Sequence, residues 1–193
     1  MRAAGFVLVG GRSSRMGRDK ALLPWRGGVL AGELAATVAA ALGNVALIGS
    51  PERYSQLGFD CIADLRPGLG PLAGIEAALA SGRGELNLIL ACDTPGIEAE
   101  ELCALVEHAR HACAGCVVTI DETGRTHPLY AVYRSCCLPV LRKALDERRL
   151  KLMDLLDELH AVSFHIGRKL ENFNTPEDWL RAQTCPPTNI PIT

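Results

Sequence analysis

No apolar run in the chain approaches the roughly 20 residues that a membrane-spanning helix requires. The apolar stretch Gly5 to Val9 is too short for a secretory signal and runs into a glycine loop. A membrane protein or an exported one is therefore disfavoured, and a cytoplasmic setting is expected. There is also little charge of one sign. The 20 Lys and Arg residues against 22 Asp and Glu leave a net charge of -2, so nothing draws the chain as a whole to nucleic acid or anionic lipid. Any anion site must come from local clustering. Internal repeats and linkers are missing too. Residues 1–184 are expected to form one domain, with 185–193 and its three prolines as an irregular or disordered tail. A complete zinc site is absent: Cys113 and Cys116, preceded by His108 and His111, have the spacing of half of one, but Cys136 and Cys137 are adjacent and supply no second pair.

What is present suits a soluble globular protein. Apolar residues make up 48% of the 193 and charged ones 22%, which excludes a disordered or fibrous chain. Of the eight cysteines, Cys61, Cys92 and Cys116 lie in apolar segments, where a reduced thiol packs as a small hydrophobe; mostly free thiols are expected. Short apolar runs alternate with stretches of helical period. That pattern predicts a three-layer α/β/α sandwich with a Rossmann-like, mostly parallel central sheet. Strands are expected over Phe6–Val9, Val45–Ile48, Leu86–Ala91, Cys116–Ile120, Leu129–Tyr133 and Val162–Ile166. The spacing of Leu30, Leu34, Val38 and Leu42, of Leu102, Leu105, Val106 and Ala109, and of Leu152, Leu155, Leu156 and Leu159 predicts three helices. Thr175, Pro176 and Asp178 form the start signal of a last helix.

The loop after the first strand runs Leu8-Val9-Gly10-Gly11-Arg12-Ser13-Ser14-Arg15-Met16-Gly17-Arg18-Asp19-Lys20, with four basic side chains against one acidic. Adjacent glycines let successive amide hydrogens approach phosphate oxygens, and the serines and arginines add donors. The loop contains no G-x-G-x-x-G and no G-x-x-x-x-G-K-[ST], which disfavours dinucleotide dehydrogenases and P-loop hydrolases. A solvated basic turn is the alternative.

Two acidic residues sit where such a site needs them. Leu86 to Ala91 reads as a buried strand followed by Cys92-Asp93-Thr94-Pro95, which places Asp93 at the carboxyl edge, where open α/β sheets bind ligands. Magnesium bound to a triphosphate is held by one or two carboxylates plus phosphate oxygens. A helix cap for the segment near Gly96 is the alternative role of Asp93. Asp64 precedes Arg66-Pro67-Gly68-Leu69-Gly70-Pro71-Leu72-Ala73-Gly74. Its carboxylate can accept from the N1 and 2-amino hydrogens of guanine, or support the metal; a salt bridge to Arg66 or a turn cap is the alternative.

The loop resembles the signature of the molybdenum cofactor guanylyltransferases: a Leu-Ala-Gly-Gly start, a Ser-x-Arg-Met-Gly core and an Asp-Lys end, with a departure at Val9, where alanine is usual and where valine could crowd the base or ribose. The Cys-Asp-x-Pro element around Asp93, the Asp64 to Gly74 segment and Asn172-Phe173-Asn174-Thr175-Pro176-Glu177 resemble further elements of that family, so that the likeness spans about Gly5 to Trp179. The resemblance implies transfer of GMP from GTP to Mo-molybdopterin with release of pyrophosphate. It places Leu8, Val9, Gly10, Gly11, Arg12, Ser13, Ser14, Lys20, Asp64 and Asp93 at GTP, gives catalytic roles to Arg15, Lys20 and Asp93, and puts Mg2+ on Asp93. His127, ahead of Pro128, and the pair Asn172 and Asn174 are expected at the second substrate. Partners implied are molybdopterin-delivering and molybdoenzyme-maturation proteins. The rivals are a molybdopterin cytidylyltransferase, which the stretch Leu23-Pro24-Trp25 slightly resembles, a sugar-phosphate nucleotidyltransferase, and a nucleotide-binding regulator or chaperone without chemistry.

Overall fold

The computed structural model describes residues 1–10, 19–170 and 179. In chain order its elements are β1 (Ala3–Leu8), β2 (Pro24–Trp25), β3 (Gly28–Val29), α1 (Leu30–Leu42), β4 (Ala46–Ile48), α2 (Pro51–Tyr54), β5 (Asp60–Ile62) and α3 (Pro71–Ala80), followed by β6 (Leu86–Ala91), α4 (Ala99–His111), β7 (Cys116–Ile120), β8 (Thr126–Arg134), α5 (Leu138–Asp146) and β9 (Val162–His165), with short 3-10 turns between some of them. Seven strands form one sheet in the order β5-β4-β1-β6-β8-β7-β9, and β2 and β3 make a separate hairpin.

Within the sheet β8 alone is reversed, antiparallel to both β6 and β7; the remaining neighbours are parallel. The expected mostly parallel architecture is therefore correct, with one strand inverted. That inversion brings the start of β8, at Thr126 and His127, to the edge where β1, β4 and β6 end.

Alternation along the strands builds two cores. Val7, Leu88 and Val132 pack with Leu34 and Val38 of α1 and Leu102 and Leu105 of α4. Phe6, Leu8, Ile89 and Val118 pack with Leu72 and Ile75 of α3 and Leu141 and Leu145 of α5 on the other face. This is the three-layer sandwich. Each fully buried leucine or phenylalanine contributes about 1.5–3 kcal/mol, so the parallel strands that carry site residues at their ends are held rigidly.

The leucine-spaced stretch from Leu152 corrects one expectation. Only Leu152–Leu155 is helical, as a 3-10 turn, after which the chain closes on itself through Ala161 N–H to Leu156 O at 2.9 Å and a left-handed His160 with φ of 48°. Leu152, Leu155 and Leu159 are still buried, because consecutive turns satisfy the same spacing of three and four as a helix does. Strand Leu129–Tyr133 extends to Thr126–Arg134, while β5, α2, α5 and the β2-β3 hairpin had no counterpart among the expected elements. The last helix at Thr175 and the tail 185–193 lie outside the described residues.

Candidate active site

β1 delivers Leu8, Val9 and Gly10 to the carboxyl edge of the sheet. Val9 N–H continues the sheet by donating to Ile48 O at 3.0 Å. Beside it β6 ends at Ala91, and Cys92 N–H donates to Leu8 O at 3.3 Å, so Asp93 emerges level with Gly10. Lys20 opens a 3-10 turn, Lys20–Leu22, which Asp19 caps by accepting from Ala21 N–H at 3.1 Å. Leu8, Val9, Gly10, Asp19, Lys20, Cys92 and Asp93 thereby share one cavity of about 190 Å³.

Two more cavities adjoin it. One of about 630 Å³ is lined by Gly10, Gly49, Arg53, Tyr54, Asp64 and Gly68 among others, a size within the roughly 300–1,000 Å³ usual for small-molecule sites. Gly10 belongs to both cavities, and a Cβ built on it would lie 3.7 Å from Asp64 Oδ2. The third, about 240 Å³, is lined by Asp93, Thr94, Arg125, His127 and Tyr130 among others, sharing Ala91, Asp93 and Leu129 with the first. The three form a row across the strand ends: Asp64 at one end, Lys20 and Asp93 in the middle, His127 at the other.

The chemistry of each group follows from its surroundings. Asp64 makes no pair with Arg66, whose guanidinium instead binds Glu76 and Asp146. Burial pushes the Asp64 carboxyl above its ordinary value. Asp93 is no helix cap, since α4 starts later, after Glu98. Its described contact is a long one, 3.4 Å from Thr94 Oγ1 to Oδ1. Burial, reinforced by Asp93, raises the Cys92 thiol to about 12, which leaves it protonated and unsuited to nucleophilic attack.

At the far end His127 is buried and its Nε2 lies 2.9 Å from Asp121 Oδ2. Asp121 accepts in addition from Thr123 Oγ1–H, Thr123 N–H and Arg125 N–H. These bonds, the Thr123 hydroxyl first, hold its carboxyl well below the usual range. Asp121 thus stays ionised and orients the imidazole, leaving Nδ1 as the ring nitrogen uncommitted to it. Arg125 lines the same cavity.

Asp121, Arg125 and Tyr54 had not been singled out from the sequence. Asp121 had a local signal, an Asp-Glu-Thr-Gly-Arg turn ahead of His127-Pro128. Tyr54 had none. Gly11, Arg12, Ser13, Ser14 and Arg15, with Asn172 and Asn174, lie outside the described residues. The half zinc motif is dispersed over other roles: Cys116 is buried in β7, Cys113 is exposed, His111 pairs with Glu107 and His108 meets the ring of Phe164 edge-on. The cysteines Cys61, Cys92, Cys103, Cys113, Cys116, Cys136 and Cys137 are all free thiols.

Val9, the departure in the loop, is 2% exposed, and space for it comes from Gly49: a Cβ there would meet Val9 Cγ2 at 2.9 Å, Tyr54 Cε2 at 3.0 Å and Gly10 N at 3.3 Å. Val9 therefore packs against the Gly49 backbone while it also lines the cavity that holds Gly10 and Lys20. Gly49→Ala is expected to lower stability by about 1–3 kcal/mol, the usual result of overpacking. Adding Val9→Ala should restore most of the loss in thermal unfolding; additive losses would contradict this packing.

The chain is similar to known proteins over most of its length. The family model described as MobA-like NTP transferase domain matches residues 5–162. A molybdenum cofactor guanylyltransferase of Xanthomonas euvesicatoria pv. vesicatoria is 34% identical over 182 residues, covering 92% of each chain. Among solved structures, molybdopterin-guanine dinucleotide biosynthesis protein A of Archaeoglobus fulgidus superposes with a TM-score of 0.79 at 24% identity, over 94% of this chain and 97% of that one. The Rv0371C protein of Mycobacterium tuberculosis, solved in complex with manganese, gives 0.67 at 18% identity, over 95% and 98%. At those identities both structures speak for the fold.

Proposed function

This chain belongs to the MobA-like NTP transferase family, and on that premise we propose that it transfers GMP from GTP to Mo-molybdopterin, releasing pyrophosphate. The observation that carries the proposal is the row of cavities in which Gly10, Lys20 and Asp93 sit between Asp64 and His127. An oxygen of the acceptor's terminal phosphate attacks the α-phosphorus of GTP. The bond from that phosphorus to the bridging oxygen breaks, and pyrophosphate leaves with the electron pair. Lys20, with Arg15 of the loop, offsets the charge that builds on the leaving group, and donors from Gly10 to Ser14 hold the triphosphate in line.

Asp93 supplies the hard oxygen donor that Mg2+ prefers, at a position able to share the ion with triphosphate oxygens. Bound there, Mg2+ would neutralise phosphate charge. Asp64 accepts from the guanine edge. His127 and Arg125 face the acceptor, where the resemblance also puts Asn172 and Asn174. No covalent intermediate with the protein is required, consistent with a protonated Cys92. Pro24 and Trp25 line none of the three cavities; they form a hairpin strand, and Trp25 packs on Trp179 at 5.4 Å between ring centroids. That stretch therefore lends no support to cytosine recognition. One nucleotidyltransferase domain over 1–184, a cytoplasmic setting, and delivery and maturation proteins as partners complete the proposal. Among the described residues no helix is long and apolar enough to cross a membrane.

Pyrophosphate release measured with each nucleoside triphosphate, Mo-molybdopterin and Mg2+ tests this reading. GTP should be turned over preferentially, and preference for CTP would overturn the guanylyl assignment. In the same assay Asp64→Asn should reduce kcat/KM for GTP about 10- to 100-fold, because one of two accepting oxygens is replaced by a donor, while the other nucleotides lose little. The raised Asp64 carboxyl gives the pH sign. Its charged form is present above its own elevated value and disappears as pH falls through it, so GTP preference should weaken on acidification before an ordinary aspartate, near about 3.9, would protonate.

A further inference from the structure

The phosphate loop leaves the sheet at Val9 and returns at Asp19, and both residues converge on one buried phenol. Tyr54, 2% exposed on the short helix α2, has its hydroxyl 2.7 Å from Val9 O and 2.8 Å from Asp19 Oδ2. A single hydroxyl proton serves both acceptors. Asp19 is otherwise occupied: Oδ1 accepts from Ala21 N–H at 3.1 Å, and Oδ2 also lies 3.3 Å from Arg53 Nη1.

We propose that Tyr54 is a positioning residue of the nucleotide site, tying the start of the phosphate loop to its end and so fixing where Lys20 stands. The assignment to nucleotide binding rests on the function proposed above; the tether itself does not. Three observations support it. The hydroxyl is the part of the ring that touches the loop ends, whereas the carbon face packs near Gly49. The carboxylate it engages begins the turn that carries Lys20, through the Ala21 cap. A carboxylate in a cavity meant for triphosphate is a liability unless donors neutralise it, and Tyr54 and Arg53 do so. Burial, then Asp19, raises the phenol well above its ordinary value, so it remains a donor at any working pH. Joining Val9 to Asp19 fixes the spacing of the two ends between which the loop must run, so that less of it is left to be set on binding.

Tyr54→Phe keeps the ring in the core and removes only the tether. The loop offers trypsin Arg12, Arg15 and Arg18, so cleavage there, mapped by mass spectrometry on the folded protein without nucleotide, reads the tether directly. The variant should be cut about tenfold faster, the ratio expected for losing one hydrogen bond to a charged group. Its KM for GTP should rise about as much with a smaller change in kcat. Asp19→Asn, which keeps an oxygen for the Ala21 cap, should accelerate cleavage similarly, and the double variant should exceed neither single by much. Unchanged cleavage in Tyr54→Phe, or fully additive effects in the pair, would overturn the proposal. Faster cleavage with no GTP turnover in the parent would leave the tether standing and remove the nucleotide assignment instead.

Discussion

Asp93→Asn should lower pyrophosphate release by about three orders of magnitude at a Mg2+ concentration that saturates the parent, while the circular dichroism spectrum stays that of the parent. The fold should survive because Asp93 supports so little of it. Its described hydrogen bond is the long one from Thr94, it caps no helix, and the strand that delivers it ends two residues earlier at Ala91. The chemistry should not survive. Asparagine preserves the shape of the side chain but exchanges a charged oxygen for an amide, and a cation shared with triphosphate is worth several kcal/mol of charge stabilisation, which converts to about a thousandfold in rate. Raising Mg2+ should recover part of the activity if occupancy is what the amide weakens. Near-parental turnover would remove Asp93 from the metal, and Asp64, at the opposite side of Gly10, would become the carboxylate to examine.

Elements whose signals are local were legible in the sequence. Leu86–Ala91 and Cys116–Ile120 appear with the expected bounds, because a buried strand is a mostly apolar run, here interrupted once in each by Asn87 and Thr119. Helix α1 spans the expected leucine and valine stripe, which its core buries at Leu30, Leu34 and Val38. What depends on distant partners was not legible. β5 is three residues long with Asp60 exposed, and it exists because β4 pairs with it. The reversal of β8 comes from pairing β6 on one side and β7 on the other, with a slip between Val118 and Thr119, and no residue in Thr126–Arg134 announces direction. At Leu152 to Leu159 the periodicity was real and the inference from it wrong, since turns bury the same leucines.

The site divides the same way. Gly10, Lys20, Asp64 and Asp93 lie in glycine- and proline-marked loops following strands, and the structure brings all four to one edge. His127 was placed by its neighbours in sequence, but what orients it, a carboxylate that accepts from Thr123, Arg125 and His127 together, emerges only when the 121–127 turn is closed. Tyr54 reaches Val9 across 45 positions, and a tyrosine in a short helix carries no mark of such a contact. Residues that bind are concentrated in motifs because ligand geometry constrains neighbours in the chain. Residues that hold the binders in place are scattered, since any element that passes nearby can supply them.

Lys20→Gln should reduce kcat/KM for GTP about a hundredfold, the second largest effect expected, and should do so without the loop loosening that marks Tyr54→Phe. Lys20 enters the cavity from a turn that has backbone and cap bonds of its own: Asp19 caps it through Ala21 N–H, Leu23 N–H donates to Lys20 O at 3.2 Å, and Ala21 is buried in the core. None of these bonds passes through the side chain, so the variant tests the ammonium with the turn's own bonds kept. Glutamine retains a donor of similar reach but no charge, so the loss measures the electrostatic part of phosphate binding and of leaving-group stabilisation. The two parts separate kinetically. Stabilisation of triphosphate alone would appear in KM, whereas support of the departing pyrophosphate lowers kcat. A lysine that only steadied Asp19 would show neither, and its replacement would accelerate tryptic cleavage of the loop instead. Arginine at this position should recover only part of the activity, because a planar, wider guanidinium does not reproduce a compact ammonium in a cavity of about 190 Å³ shared with Asp19 and Asp93.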